Sequence, residues 1–129
     1  MFDFHPQLKQ RFAALRTGAE FFSLRYVRES GQYLSVRKNV AEPPSLSRDE
    51  GAMLTVRVNG VEAYAATNDL SQQGLQAALE RAEQQARRLK PHALLDLSDQ
   101  AVSTARADYF SPNLDQPFPS LSDCYQLLG

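Results

Sequence analysis

Hydrophobic residues in the first part of the chain change from helical to strand spacing. Leu8, Phe12 and Leu15 follow one another at helical intervals, and they predict a helix from Pro6 to Thr17 that Gly18 ends. Two runs with alternating apolar and polar positions come next, one on each side of Ser30-Gly31. Alternation around a glycine is typical of paired strands, so we predict a first β-hairpin here.

A second hairpin is predicted around Asn59-Gly60, because this dipeptide readily adopts the positive φ angles of a two-residue turn. Residues 41–49 contain paired prolines and polar residues, and we expect them to form a loop between the hairpins. A second helix is predicted over Leu70–Leu89, with Ser71 or Asp69 as its N-cap. Its apolar stripe is formed by Leu75, Ala78, Leu79, Ala82, Ala86 and Leu89.

This order predicts an α+β fold, a two-layer sandwich in which two helices flank a four-stranded antiparallel sheet made of two hairpins. We expect residues 1–91 to form this domain. Residues 92–119 contain three prolines and have no sustained period, so we expect an extended, proline-containing connector. Residues 120–129 resemble a capped helix start, which we expect to belong to a following domain.

Net charge and cysteine content bear on which partners the protein can bind and in which cellular compartment it is found. The chain has 129 residues and a formal net charge of −1, so it has no overall electrostatic attraction for nucleic acid or anionic membranes. One cysteine, Cys124, cannot form an internal disulfide, and no apolar run approaches the length of a membrane span. We therefore expect a cytoplasmic protein with no membrane partner.

Residues suited to catalysis or metal binding are few and scattered. His5 and His92 stand in no recognisable metal-ligand spacing, and we expect both on the surface. Cys124 and His92 could in principle form a nucleophilic pair, but a small apolar role for Cys124 in a helix is the simpler interpretation. We therefore assign no catalytic residue, metal ligand or cofactor to this chain.

Strand alternation also predicts a candidate interaction face on the sheet. The helix-covered side is assigned Phe22, Leu24, Tyr26, Leu34, Val36, Leu54, Val56 and Val58. The open side is assigned the candidate residues Arg25, Tyr33, Arg37, Arg57 and Tyr64. Arginines among aromatic rings are typical of RNA-binding sheets, so a free-standing nucleic-acid or anion-binding module is one hypothesis. Alternatively, the arginine stems cover the sheet and pair with carboxylates.

Several segments in order resemble the N-terminal domain of the TldD/PmbA family. The resemblance is carried by RYVR at residues 25–28, LSV at 34–36, VRVNG at 56–60, AATNDLS at 65–71 and the alanine-rich helix at 77–86. It covers residues 19–90 well and the rest loosely. Ala63 precedes Tyr64 where the family commonly has glycine and an aromatic residue.

The resemblance implies a function that the residues themselves do not. The family's members are described as zinc metallopeptidases and as modulators of DNA gyrase, and their HExxxH helix lies in downstream regions with no counterpart here. It implies that zinc is bound in a downstream domain, and that this chain is a non-catalytic domain shaping a substrate chamber and subunit assembly. The implied partners are a C-terminal domain, a second TldD/PmbA-like subunit in a dimer, and peptide substrates.

Overall fold

The computed structural model describes residues 5–129, which divide into two units. The first unit contains the residues up to Arg28 together with Glu50–Val102. The second unit contains Glu29–Asp49 together with Ser103–Gly129. Secondary structure is α+β, as the sequence predicts, with helices and two antiparallel sheets.

The main sheet has three strands. They are β1 (Phe21–Tyr33), β4 (Ser45–Val58) and β5 (Val61–Thr67), in the spatial order β1-β4-β5. A separate two-stranded sheet is formed by β2 (Val36–Arg37) and β3 (Val40–Ala41). The predicted single sheet of four strands is therefore wrong for the described residues.

The error lies in the position of the first turn. Strand β1 continues through Ser30-Gly31, and the chain reverses at Lys38-Asn39, where both residues have positive φ angles of 51° and 62°. The predicted loop at 41–49 is also shorter than expected, because β4 begins at Ser45, directly after Pro44. A proline before a strand blocks no ladder hydrogen bond within it, so paired prolines mark the strand's start.

The second hairpin forms as predicted. Strands β4 and β5 pair antiparallel from Val58↔Val61 to Ala52↔Thr67, with Asn59 and Gly60 as the two turn residues. Their φ angles of 50° and 77° are the positive values that a type I′ turn requires.

Helix α2 (Gln72–Leu89) is packed along its predicted stripe. The hydroxyl oxygen of Ser71 accepts a hydrogen bond from the Gly74 N–H at 3.0 Å, which confirms Ser71 as the N-cap. The five stripe residues from Leu75 to Ala86 are buried, whereas Leu89, predicted to belong to the stripe, is 40% exposed. The alanines allow the helix to lie close to the sheet.

One hydrophobic core joins both predicted helices to the same face of the sheet. Helix α1 is shorter than predicted, Leu8–Ala13, and Leu8 and Phe12 pack against the core that α2 forms with β4 and β5. The fully buried side chains at its centre are Leu54, Val56, Leu75 and Leu79. Phe22, Leu24 and Tyr26 of β1 pack on this core, as their alternation predicts.

The remaining chain has little regular structure. A 3₁₀ turn at Lys90–His92 follows α2, and residues 93–120 contain no helix or strand. Helix α3 (Leu121–Leu128) begins after Ser120, whose hydroxyl accepts a hydrogen bond from the Asp123 N–H. Within the second unit, the Tyr125 hydroxyl donates to the Glu42 carbonyl oxygen. The domain boundaries given above stay predictions.

Candidate functional site

Strand β5 is an edge strand, and its backbone geometry follows from the turn before it. In a two-residue hairpin the residues flanking the turn form a hydrogen-bonded pair, and such pairs recur at every second position. Val61, Ala63 and Ala65 therefore point their N–H and C=O groups towards β4. Glu62 and Tyr64 point theirs outwards, as does Ala66, whose carbonyl oxygen accepts a hydrogen bond from Arg81 at 3.3 Å.

A groove runs between this edge and helix α2. It has a volume of about 280 Å³ and is lined by Glu62, Ala63 and Tyr64 from the strand and by Gln85 and Leu89 from the helix. Among the described residues, no hydrogen bond is found to the outward backbone groups of Glu62 and Tyr64. An edge strand with unpaired backbone groups can accept a further strand, so the groove has the form of a strand-addition site.

The flank of α2 above the groove is basic. Arg81, Gln85 and Arg88 follow each other at intervals of four and three residues, so they lie on one side of the helix. Arg81 and Arg88 are both exposed. The opposite flank of α2 contacts the segment after α1. There the Gln76 side chain accepts a hydrogen bond from the Arg16 N–H at 3.0 Å and donates one to the Arg16 carbonyl oxygen at 2.8 Å.

Arg57 on β4 is the one charged or polar residue that is buried among the described residues, at 6% exposure. Its Nε and Nη2 atoms donate to Glu62 Oε1 at 3.2 and 2.6 Å, and its Nη1 donates to the Gln100 carbonyl oxygen at 3.0 Å. Burying a guanidinium is costly unless its N–H groups form hydrogen bonds, and here each of its three nitrogens donates one. Arg57 therefore fixes residues after α2 to the open face of the hairpin.

The same residues after α2 also hold the Asn59-Gly60 turn, and we name residues 90–100 the strap. The Leu97 N–H donates to the Gly60 carbonyl oxygen at 2.9 Å, and Lys90 Nζ donates to the Asn59 carbonyl oxygen at 2.7 Å. Asp96 accepts hydrogen bonds from the backbone and hydroxyl of Ser98, which lower the pKa of its carboxyl group. A Cβ atom at Gly60 would meet the Asp96 carboxylate, and the positive φ of 77° is a conformation that favours glycine.

The predicted interaction-face residues fall into both units. Arg25, Arg57 and Tyr64 lie on the open face of the main sheet in the first unit, where Tyr64 is 69% exposed. Arg57 was expected to be exposed and is buried, because the strap covers it. Tyr33 and Arg37 are exposed residues of the second unit. Binding by this face stays a prediction.

A smaller group of titratable residues lies around Tyr26. Its hydroxyl donates to Glu50 Oε2 at 2.7 Å, and the ring of His5 lies edge-on at 6.2 Å between centroids. Burial, followed by the hydrogen bond to Glu50, raises the pKa of the Tyr26 hydroxyl. His5, expected on the surface, is half-buried, and His92 is exposed as expected.

Residues 5–129 contain no group of three or more His, Cys, Asp or Glu side chains placed to hold a metal ion. Zinc, which the resemblance implies for the family, therefore finds no set of ligands among them. In the same part of the chain, no helix is both long and apolar enough to span a bilayer.

Sequence reasoning missed the residues that form the groove. Gln85 and Arg81 are polar positions of an amphipathic helix, and such positions usually face only solvent. The outward direction of Glu62 and Tyr64 could have been inferred, because the Asn59-Gly60 turn fixes which residues pair. That β5 lies at the edge could not, since strand order depends on where β1 pairs.

Comparison with known proteins identifies one family. The sequence profile of PmbA/TldA metallopeptidase domain 1 matches residues 22–86, about half of the chain, from β1 to the last buried turn of α2. No curated protein matches the chain, and no solved structure does. The matched residues include nearly all of the main sheet, with its edge strand β5, and the Asn59-Gly60 turn. The chain therefore belongs to the PmbA/TldA (TldD/PmbA) metallopeptidase family, through the first domain of that family.

Proposed function

We propose that this chain is the non-catalytic N-terminal domain of a TldD/PmbA-like metallopeptidase, and that it shapes the substrate chamber and the assembly of subunits. Cleavage of peptides or unfolded segments then takes place on zinc held by a downstream domain of the same protein. The proposal includes a second family-like subunit as partner and a cytoplasmic location.

The observation that carries the proposal is the match to domain 1 of the family over residues 22–86. The same residues build a continuous apolar core from β4, β5 and α2, in which Leu54, Leu75 and Leu79 are fully buried. Such a core serves as a rigid support, because close-packed interiors transmit strain and deform little. A rigid sheet with an open edge suits the wall of a chamber that admits extended chains.

The test compares three proteins: this chain alone, the chain joined to its downstream sequence, and the downstream sequence alone. Each is assayed with zinc for cleavage of a short peptide and of an unfolded protein, and its mass is measured by light scattering. We expect no cleavage by this chain alone. We also expect the joined protein to act on both substrates, and the downstream part alone to lose activity on the unfolded protein and to assemble less well.

Two outcomes would contradict the proposal. Zinc-dependent cleavage by this chain alone would show that the domain is catalytic. Unchanged activity and unchanged mass of the downstream part without this chain would show that the domain shapes neither chamber nor assembly. As a matched control for misfolding, the joined protein carrying Leu46→Ala on an exposed position should behave as the unmodified one.

The nucleic-acid alternative is not favoured by a specific observation. Its central arginine, Arg57, has its guanidinium bound to Glu62 and to the Gln100 carbonyl oxygen. We therefore do not propose it.

A further inference from the structure

The groove between the edge of β5 and helix α2 combines three features that have no role in the core. Glu62 and Tyr64 present outward backbone groups, and the Tyr64 side chain is exposed beside them. Arg81 and Arg88 lie on the same flank of α2 as the lining residue Gln85, and Arg81 reaches the edge at the Ala66 carbonyl oxygen. Natural proteins commonly protect edge strands by a lysine, a proline or a bulge. β5 (VEAYAAT) contains no lysine, proline or bulge, and the carboxylate of its one charged residue, Glu62, is paired with Arg57.

We propose that this edge binds an extended, acidic segment of a partner polypeptide, which adds to the sheet as a strand next to β5. The N–H and C=O groups of Glu62 and Tyr64 bind the backbone of the added strand. Alternate side chains of that strand point towards α2, where carboxylates meet Arg81 and Arg88 and an apolar residue meets Leu89. The inference concerns a binding surface and does not depend on where the family's hydrolysis takes place.

Charge decides between the two occupants that an open edge can accept. A second copy of this chain could pair its own β5 with this one, edge to edge. Strands are spaced by about 4.8 Å, so two such sheets would bring the two α2 helices to roughly 10 Å, which is contact distance. Arg81 and Arg88 of one copy would then face the same arginines of the other, and like charges at contact oppose that pairing. An acidic segment meets the opposite charge.

The hydrogen bond from Arg81 to the Ala66 carbonyl oxygen sets the length of the site. It occupies the last outward acceptor of β5, so the added strand pairs beside Glu62 and Tyr64 and ends near Arg81. A carboxylate at that end of the added strand would take the Arg81 guanidinium in the bidentate geometry that arginine favours.

The experiment measures binding of a fluorescent peptide of about nine residues that alternates aspartate with valine and threonine. Fluorescence anisotropy with the full chain should show saturable binding that weakens as salt is added. The amide signals of Glu62 and Tyr64 should shift in NMR spectra. Two peptide controls test the mechanism: lysine in place of aspartate, and N-methylation of alternate amides. Each should bind at least roughly tenfold more weakly.

Matched protein variants locate the site. Arg81→Glu and Arg88→Glu should each weaken the acidic peptide roughly tenfold and favour the lysine peptide. Arg25→Glu makes the same charge change on the exposed part of β1 and should leave binding unchanged. Tyr64→Pro removes one outward N–H without removing a bond to β4, and should abolish binding, whereas Tyr64→Ala should largely retain it.

Several results would overturn the proposal. Equal binding of the acidic and lysine peptides, or of the N-methylated peptide, would exclude a charge-selective added strand. Equal loss in Arg25→Glu and Arg88→Glu would mean that the peptide follows net charge alone. Concentration-dependent dimerisation that Tyr64→Pro abolishes would assign the edge to a second copy. If Tyr64→Pro fails to fold, the N-methylated peptide still tests the backbone pairing.

Discussion

The two hairpins share one turn geometry but differ in almost everything else. Both reverse through two residues with positive φ, Asn59-Gly60 between β4 and β5 and Lys38-Asn39 between β2 and β3. The β4–β5 hairpin extends over seven paired positions, whereas the β2–β3 hairpin pairs only two. A turn therefore decides where the chain reverses, but it does not decide how far the strands continue.

The difference in length follows burial. The paired β4 residues Leu54 and Val56 are fully buried under α2, whereas Val40 of β3 is mostly exposed. An isolated two-stranded hairpin is only marginally stable in water, because it buries little apolar surface against its entropy cost. Strand β4 shows the same contrast along its own length, being exposed from Ser45 to Glu50, alternately buried from Gly51 to Val56 and buried at Arg57 and Val58.

The largest effect should come from a leucine-to-alanine substitution in the buried half of β4, and the same substitution in its exposed half is the control. Leu54→Ala removes a fully buried side chain and should lower the free energy of unfolding by about 2–5 kcal/mol. Leu46→Ala, at a position that is 73% exposed, should change it by less than about 0.5 kcal/mol. Urea unfolding followed by circular dichroism measures both. Equal losses would show that burial does not explain the contrast.

The next effect compares the two turns. Gly60→Ala combines a positive φ with a Cβ placed against Asp96 and should cost about 2–3 kcal/mol of global stability. Asn39→Ala meets only the φ penalty, about 1 kcal/mol, and should reduce hydrogen-exchange protection in β2 and β3 without lowering the global midpoint.

A double-mutant cycle separates the two causes at Gly60. Adding Asp96→Ala to Gly60→Ala should recover part of the loss, because the side chain in conflict is removed. If the two losses simply add, the close approach of the strap is not what requires glycine.

A smaller effect is expected at the Arg57–Glu62 ion pair of the longer hairpin. Glu62→Gln weakens the partner of buried Arg57 and should cost about 1–2 kcal/mol, less than for a fully buried pair because Glu62 is partly exposed. Adding Arg57→Met should restore some stability, since no buried charge then lacks a partner. Arg37→Gln on exposed β2 is the control, with an expected change below about 0.5 kcal/mol.

The smallest effect depends on pH and belongs to the strap. Hydrogen bonds from Ser98 lower the pKa of the Asp96 carboxyl group from its ordinary value, so the ionised carboxylate is favoured in the folded chain. This contribution is present above the unfolded pKa and is lost as pH falls through the folded one. Asp96→Asn should therefore unfold at slightly lower urea than the unmodified chain near neutral pH, and the difference should shrink and vanish as acid protonates the Asp96 carboxylate. Asp99→Asn is the matched control, and a difference that persists in acid would contradict the assignment.

Local sequence signals predicted the second hairpin and α2 well. Asn59-Gly60 and the Ser71 cap act through bonds to residues two or three positions away, so their effect is visible without the fold. The first hairpin was misplaced because Ser30-Gly31 resembles a turn, yet β1 remains extended there. Lys38-Asn39 carries a weaker signal, because lysine rarely adopts positive φ.

In the candidate site too, one residue was placed correctly from the sequence and another was not. Tyr64 was expected on the open face, and the paired register confirms that position. The burial of Arg57 could not be predicted, because its cover comes from Gln100, forty-three residues later, in a segment without hydrophobic periodicity.

The sequence by itself determined the family, the α+β class, the capped and striped helix α2 and the register of the β4–β5 hairpin. These properties depend on spacing and turn chemistry within a few residues. Only the tertiary structure decided that the main sheet has three strands, that β5 is its edge, and that the strap covers Arg57. Each of these depends on contacts between distant segments, where the free energy of burial outweighs the local preferences of the chain.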